Sequence, residues 1–181
     1  MTLSELEQAL VTTITGLGKF KTVESFKGSI EDILKNRTAR WPACFVVYQG
    51  AKYQRVASRV WRKTPQYSLL ICAQSYRSES DARLKPDGAN ALLDFVEAAL
   101  LEQYLGLELE QPLYPVEQEL LNMVSKETGM ALAVYDCRWE AVFTAEPAAE
   151  TAATLAALEA RYKLRPGDDT PDAIDQIDLE G

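Results

Sequence analysis

The stretch WPACFVVYQG, residues 41–50, decides the fold of this chain. Pro42 restricts Trp41 to extended geometry, and a proline is tolerated at the first position of a strand but not in its middle. Both faces of the run CFVVY are apolar, which is typical of a central strand covered on each side. The sequence therefore predicts a strand from Ala43 to Gln49 inside a sheet.

Cys44 lies in this strand, where its thiol could either belong to a reactive site or be packed in the core. No basic residue adjoins it to stabilise a thiolate, so we interpret it as a small buried hydrophobe. Cys72 and Cys137 are distant in sequence, and no two cysteines form a CxxC pair. We therefore expect no disulfide framework and no zinc site, and reduced thiols fit a cytosol.

The composition predicts a folded protein without obvious catalytic machinery. The chain has 181 residues, 47% of them hydrophobic and 25% charged, which suits one domain with or without an appendage. It has no histidine, and no P-loop, GxGxxG or GxSxG motif organises other groups. Glu117 and Glu119 would share one face of a strand beside solvent, as ordinary surface acids. We therefore expect that the protein is not an enzyme, has no catalytic residues and binds no cofactor or metal.

The elements before the opening stretch follow from hydrophobic periodicity. Leucines and isoleucine at helical spacing, a capping box of Thr2 with Glu5, and stops at Gly16 and Gly18 predict an amphipathic first helix. Residues 20–26 are interpreted as a short extended piece, and residues 29–36 as a brief helix. No signal peptide and no apolar run of about 18 residues is present, so neither export nor membrane insertion is expected.

The elements after the stretch complete a sheet with one long helix. We predict a strand at 66–76, a helix at 88–106 capped by Asp87, and strands at 114–124 and 130–143 joined by a hairpin loop. In the last strand the odd-numbered side chains form an apolar face. The opposite face changes from apolar to charged at Asp136, so one end should be buried and the other should reach water.

Together these elements predict an α+β domain at residues 1–145. Its core is a mainly antiparallel sheet of four to five strands with the N-terminal helix and the long helix packed on it. Residues 146–181 form an acidic C-terminal appendage, interpreted as an alanine-rich helix followed by an acidic tail. The alternative for the tail is a frayed, solvated segment.

Charge is distributed unevenly along the chain, whose net charge is -8. Between Ile33 and Ser78 there is no acidic residue, and the basic residues there are Lys35, Arg37, Arg40, Lys52, Arg55, Arg59, Arg62, Lys63 and Arg77. Segment 51–65 could be a helical turn or an outlying hairpin arm. The basic stretch could be a solvated face, a nucleic-acid surface, or a contact in which one copy's basic arm meets another copy's acidic tail.

The order of elements resembles that of a known family. WPACFVVYQGA starts the sheet, YSLLICAQS pairs beside it, and ALAVYDCRWEAVF closes it. In this order the chain is similar to the tail terminator (tail completion) proteins of tailed bacteriophages, and in particular to the small tail protein of Mu-like phages and prophages. The resemblance covers residues 1–145, and the acidic tail has no counterpart in the lambda-like members.

The resemblance implies a structural virion protein with no catalytic residues. Six copies would close a ring on the head-proximal end of the tail tube, end its polymerisation and meet the head connector. It implies partners that are the chain itself, the tube protein and the connector, and it leaves contact with the sheath protein open. DNA would pass through the ring at the tail–head junction, with no membrane and no free nucleic acid bound, after assembly in the host cytoplasm.

The basic segment supplies the candidate contact residues for such a ring. An acidic body with a basic arm has two different complementary surfaces, as head-to-tail contacts require. We expect Arg55, Arg59 and Arg62 to lie at subunit or partner contacts, and charge reversal there to impair assembly without unfolding the monomer. The alternative is a nucleic-acid-binding accessory protein that uses segment 52–63. The residues predicted for the subunit or partner interface are Lys52, Tyr53, Arg55, Arg59, Trp61, Arg62 and Lys63.

Overall fold

The computed structural model describes residues 1–27, 40–124, 131–145, 157–162 and 173–178. The chain divides into two compact units, Met1–Glu146 and Pro147–Gly181. The predicted brief helix at 29–36 and the predicted hairpin loop at 125–129 lie outside the described residues. Within the described ranges, no helix is long and apolar enough to cross a bilayer.

The first unit is built on one five-stranded sheet in the order β1-β2-β3-β5-β4. The pairing of β1 with β2 is parallel, and the other three pairings are antiparallel. The predicted α+β fold with a mainly antiparallel sheet is confirmed. The elements are α1 (Leu3–Gly16), β1 (Thr22–Ser25), β2 (Ala43–Ala57), β3 (Val60–Ser75), α2 (Glu79–Leu84), α3 (Ala89–Leu100), β4 (Gln111–Val124) and β5 (Ala131–Ala145).

The opening stretch forms a central strand, as predicted. Cys44 and Val46 belong to the apolar cluster that contains the buried side chains of α1 and α3. Ala43 and Phe45 point to the other face of the sheet, into a second cluster with Leu70 and its neighbours. Strand β2 is therefore covered on both sides over these four residues, while its far end extends beyond the predicted limit at Gln49.

All three cysteines are buried, as predicted for Cys44. Burial raises the pKa of the Cys44 and Cys72 thiols far above the usual range and raises the pKa of Cys137 to about 12. The thiolate form of each is therefore strongly disfavoured.

The first helix also agrees with its sequence signals. The amide of Glu5 donates to Thr2 Oγ1 at 3.2 Å, and the amide of Thr2 donates to Glu5 Oε2 at 2.7 Å, which completes the capping box. Leu6, Leu10 and Ile14 are fully buried against the sheet. This helix covers one face of the sheet beside α3.

Helix α3 is shorter than predicted at both ends. Its N-cap is Gly88 rather than Asp87, and a Cβ at Gly88 would lie 2.6 Å from the Arg83 carbonyl oxygen. This close approach to the end of α2 requires glycine. The helix ends at Leu100 because the next residues bond elsewhere: the amide of Glu102 donates to the Leu113 carbonyl. Gln103, which lies within the predicted helix, is exposed and outside the observed one.

Helix α2 was not among the predicted elements, although its start carries a capping signal. Ser78 accepts a hydrogen bond from the amide of Asp81 at 3.0 Å. Only Ala82 of this six-residue helix is buried, so it has no apolar stripe long enough to stand out in the sequence.

The charged end of β5 differs from the prediction that it reaches water. Asp136 and Glu140 are each only 8% exposed, although they lie on the face that turns polar. Arg138 lies 3.7 Å from Asp136 and also bonds Glu117 of β4. Charged neighbours therefore cover this end of the sheet, where the sequence alone indicated solvent.

The second unit contains two described strands, β6 (Ala157–Tyr162) and β7 (Ala173–Asp178), paired antiparallel. The predicted alanine-rich helix is wrong at Ala157–Tyr162, because cross-strand pairing overrides helix propensity there. The predicted acidic tail contains β7, so it is not a frayed segment at these six residues.

Candidate interaction surface

Segment 51–65, for which the sequence left two structures open, belongs to a hairpin. Strands β2 and β3 continue past the core and join where Ala57 pairs with Val60. Arg59 in the turn has φ 63°, a left-handed conformation that closes the hairpin. We call residues 51–63 the arm.

A bulge decides which side chains lie on which face of the arm. The register between β2 and β3 shifts between Tyr48 and Gly50, and Gly50 has φ 122°. An extra residue in one strand reverses the alternation of its side chains beyond that point. Tyr53 therefore lies on the side of the sheet that α1 and α3 cover, and Lys52 on the other.

The outer edge of the arm has no partner strand in the part of the chain that the structure describes. Strand β1 pairs with β2 as far as Val46, and the amide of Phe26 adds one bond to the Val46 carbonyl. Beyond that point β2 pairs only with β3 among the described strands. An edge of this kind can accept a strand from another chain.

One face of the arm pairs its charges with acidic residues of the same chain. Arg62 Nε donates to Glu110 Oε2 at 2.8 Å, and Thr144 Oγ1 donates to Glu110 Oε1 at 2.5 Å. Both hydrogen bonds lower the pKa of the Glu110 carboxyl, and the bond from Thr144 has the larger effect. Lys52 Nζ lies 3.6 Å from Glu140 Oε1. We call this side the paired face.

Glu140 is held from the other side as well. The Tyr114 hydroxyl donates to Glu140 Oε2 at 2.7 Å. Burial, with this hydrogen bond, raises the pKa of Tyr114 to about 12. The carboxylate that faces Lys52 is thus fixed by the fold, whereas the Lys52 side chain is 83% exposed and gains little from the pair.

The opposite side of the arm combines exposed rings with cations. Tyr53 is 58% exposed and Trp61 is 40% exposed. Lys63 Nζ lies 5.4 Å from the Tyr53 ring centroid and 5.7 Å from that of Phe143. Arg55 pairs across the hairpin with Trp61. We call Tyr53, Arg55, Trp61 and Lys63 the aromatic face.

All seven residues predicted for the interface lie on the arm, but they do not form one patch. Four make up the aromatic face, Lys52 and Arg62 lie on the paired face, and Arg59 occupies the turn. Of the other basic residues in the stretch, Arg40 and Arg77 lie away from the arm, and Lys35 and Arg37 lie outside the described residues.

Glu110 and Glu140 were missed as partners of the basic segment. They lie 48 and 88 positions away from Arg62 and Lys52, respectively, and meet them only through the register of β3 with β5. No local sequence signal marks such pairs.

The aromatic face of the arm is a candidate contact surface. Tyrosine, tryptophan and arginine side chains are enriched at the buried centres of interfaces, and the face carries one of each. Among the residues that the structure describes, no group of three or more acidic or cysteine side chains is placed to hold a metal ion.

Comparison with known proteins gives the family. A family model described as "Bacteriophage Mu, Gp37" matches residues 2–144, and the chain belongs to this family. The resemblance to Mu-like phage proteins is thereby confirmed. No curated protein matches the chain. A solved structure entitled "Virion of native gene transfer agent (GTA) particle" shares 10% identity and a TM-score of 0.43, covering 76% of this chain and 95% of that chain.

Proposed function

We propose that this chain is a structural virion protein whose copies close a ring on the head-proximal end of a phage tail tube. The ring ends tube polymerisation and joins the tail to the head connector. Six copies are expected from the tail terminator proteins that the sequence resembles, with DNA passing through the channel. The site of action is then the tail–head junction, after assembly in the host cytoplasm.

Membership in a phage protein family supports this role, and the arm carries the argument at residue level. Its aromatic face exposes Tyr53 and Trp61, and its outer strand edge has no partner among the described residues. Exposed aromatic rings and an unpaired strand edge both favour association with other chains. A single subunit type with an exposed arm of this kind can form a ring by head-to-tail contacts.

The arm that carries the seven predicted residues remains our proposed subunit or partner interface. We assign the contact itself to the aromatic face, while Lys52 and Arg62 of the paired face contact carboxylates of their own chain. Because Arg62 is paired with Glu110, Arg62→Glu would place two carboxylates together and disturb the fold as well as the interface. Arg55 lies on the aromatic face and is exposed, so Arg55→Glu tests the contact more cleanly.

Removal of the protein from an assembling phage tests the function. In cells infected by a phage that lacks the gene, we expect tubes of uncontrolled, excessive length and heads without tails in electron micrographs. Supplying the intact chain from a plasmid should restore tails of normal length joined to heads. Normal, joined tails in the absence of the chain would contradict the proposal.

A nucleic-acid-binding accessory role remains the second candidate, because exposed Tyr53 and Trp61 stand beside Arg55 as stacking platforms beside a cation. The internal pairing of Lys52 and Arg62 reduces the charge that this segment could offer to phosphates. The role predicts retention of single-stranded DNA on filters at low salt and steep loss at higher salt. Absence of retention at low salt would exclude it.

A further inference from the structure

We propose that the aromatic face of the arm docks on the outer face of helix α3 of a second copy of this chain. The inference rests on the proposed ring and names the two surfaces that would form its subunit contact. It requires a patch elsewhere on the chain that complements exposed rings and positive charge.

Helix α3 carries such a patch on the side that faces away from the sheet. Its inner side buries Leu92, Leu93, Val96 and Leu100. On the outer side, Asp94, Phe95 and Ala98 are exposed, and Ala98 neighbours both of the others because it lies four residues after Asp94 and three after Phe95.

The patch continues past the end of the helix with further exposed residues. Leu101 is 49% exposed and Tyr104 is 48% exposed, and Glu102 between them is also exposed. Exposed apolar side chains rimmed by polar groups mark interaction sites. The acceptor patch is Asp94, Phe95, Ala98, Leu101, Glu102 and Tyr104.

The two surfaces are complementary in charge and alike in apolar character. Arg55 and Lys63 on the arm would face Asp94 and Glu102, while Tyr53 and Trp61 would meet Phe95 and Leu101. Lys19 lies at the border of the patch, with its Nζ 4.3 Å from the centroid of the Phe95 ring. Two exposed carboxylates against this one cation leave the patch acidic, and complementary charge of this kind fixes register between subunits.

Two features favour a second copy over other occupants. Both surfaces belong to the same chain, so each subunit can give its arm to one neighbour and its helix to another. Such a contact is heterologous and generates a closed ring when the rotation between subunits closes. The acceptor is built on a helix whose inner side is anchored in the core, so it is a rigid platform for a hairpin.

Site-directed photo-crosslinking in assembled particles tests the contact. The full chain with Ser58→Cys, in the exposed turn of the arm, keeps all four residues of the aromatic face. It is labelled with a benzophenone maleimide, which the three buried native thiols do not take up, and is added to an extract of cells infected by the phage that lacks the gene. Particles are purified and irradiated. We expect gel bands at multiples of the chain mass and crosslinked peptides from residues 89–104.

Reversing the charges at both surfaces is a second test of the contact, and it needs no photo-crosslinking label. Arg55→Glu should reduce completed particles about tenfold, as the loss of one good interface contact does. Adding Asp94→Arg to the same chain should restore most of them. Glu119→Arg, at an exposed position of β4 and away from the patch, should restore none.

The outcomes separate this inference from the proposed function. Crosslinks to residues 168–180, to another tail protein or to DNA, with no rescue by Asp94→Arg, would overturn the α3 contact. The chain's presence in the particles would still agree with the proposed virion role. Crosslinked species that stop at two copies would overturn the head-to-tail arrangement. Absence of the chain from particles would overturn both.

Discussion

The base and the arm of the β2–β3 hairpin are formed by the same two strands, yet one half is core and the other half is surface. At the base, Cys44 and Phe45 lie in apolar clusters on opposite faces of the sheet. In the arm, every residue of β2 from Lys52 to Ala57 is exposed, although pairing with β3 continues past the bulge at Gly50. Backbone pairing therefore extends both strands beyond the core into an exposed segment, for which we propose a role in contacts.

The largest difference should appear when an aromatic ring is removed from each half. Phe45 is fully buried, so Phe45→Ala should lower the free energy of unfolding by about 3–5 kcal/mol through lost burial and a remaining cavity. Tyr53, on the same strand, is largely exposed, and Tyr53→Ala should cost less than about 1 kcal/mol.

Urea denaturation of the two variants measures this contrast. The midpoint should fall markedly for Phe45→Ala and hardly move for Tyr53→Ala, with similar slopes. Equal losses of unfolding free energy in the two variants would mean that the arm is as well packed as the base. That result would contradict the description of the base as core and the arm as surface.

A smaller effect should distinguish the two faces of the arm itself. Arg55→Gln and Lys52→Gln each remove one positive charge from β2, three residues apart on opposite faces. We expect Arg55→Gln to reduce the yield of completed particles several-fold, up to about tenfold, and Lys52→Gln to leave it near normal. Plaque counts after complementation give the yield, and unchanged thermal midpoints confirm that both chains fold. Equal yields from both variants would remove the distinction between the faces.

The smallest effect concerns the ion pair on the paired face. The lowered pKa of Glu110 means that this carboxylate stabilises the fold above the pKa of the unfolded chain, about 4.3, and that the contribution disappears as pH falls through the lower folded value. Glu110→Gln should therefore reduce the free energy of unfolding at pH 7 by less than about 1 kcal/mol, measured as a slightly lower thermal midpoint, and should have no effect in strong acid.

Glu108→Gln is the matched control, because Glu108 is exposed two residues away on the same connection. Its midpoint should follow that of the unmodified chain at every pH. If the thermal midpoint of Glu110→Gln also equals that of the unmodified chain at pH 7, Glu110 does not hold Arg62. Both faces of the arm would then be available for contacts.

The sequence predicted the base of the hairpin because its signals are local. The proline at 42 and the apolar run after it specify a buried central strand, and Thr2 with Glu5 specifies the start of α1. The extent of β2 was underestimated, since polar residues such as Gln54 and Arg55 give no burial signal. The end of α3 was overestimated, since bonds to Leu113 that end it come from a distant strand.

The composition of the candidate surface could be predicted, but its geometry could not. The sequence shows a stretch with basic residues and no acidic ones, and this pattern allowed the interface residues to be predicted. All seven of them lie on the arm. Their division between two faces depends on the bulge at Gly50 and on Glu110 and Glu140, which the fold brings in from far along the chain.

The central claim, that the aromatic face of the arm is buried in the assembled particle, can be tested by labelling rates. Full-length chains with Arg55→Cys or Lys52→Cys are treated with a maleimide, once as free protein and once in purified particles. The account predicts that labelling at position 55 slows at least about tenfold on assembly while position 52 reacts equally fast in both. Equal rates at position 55 in the free and assembled states would contradict it.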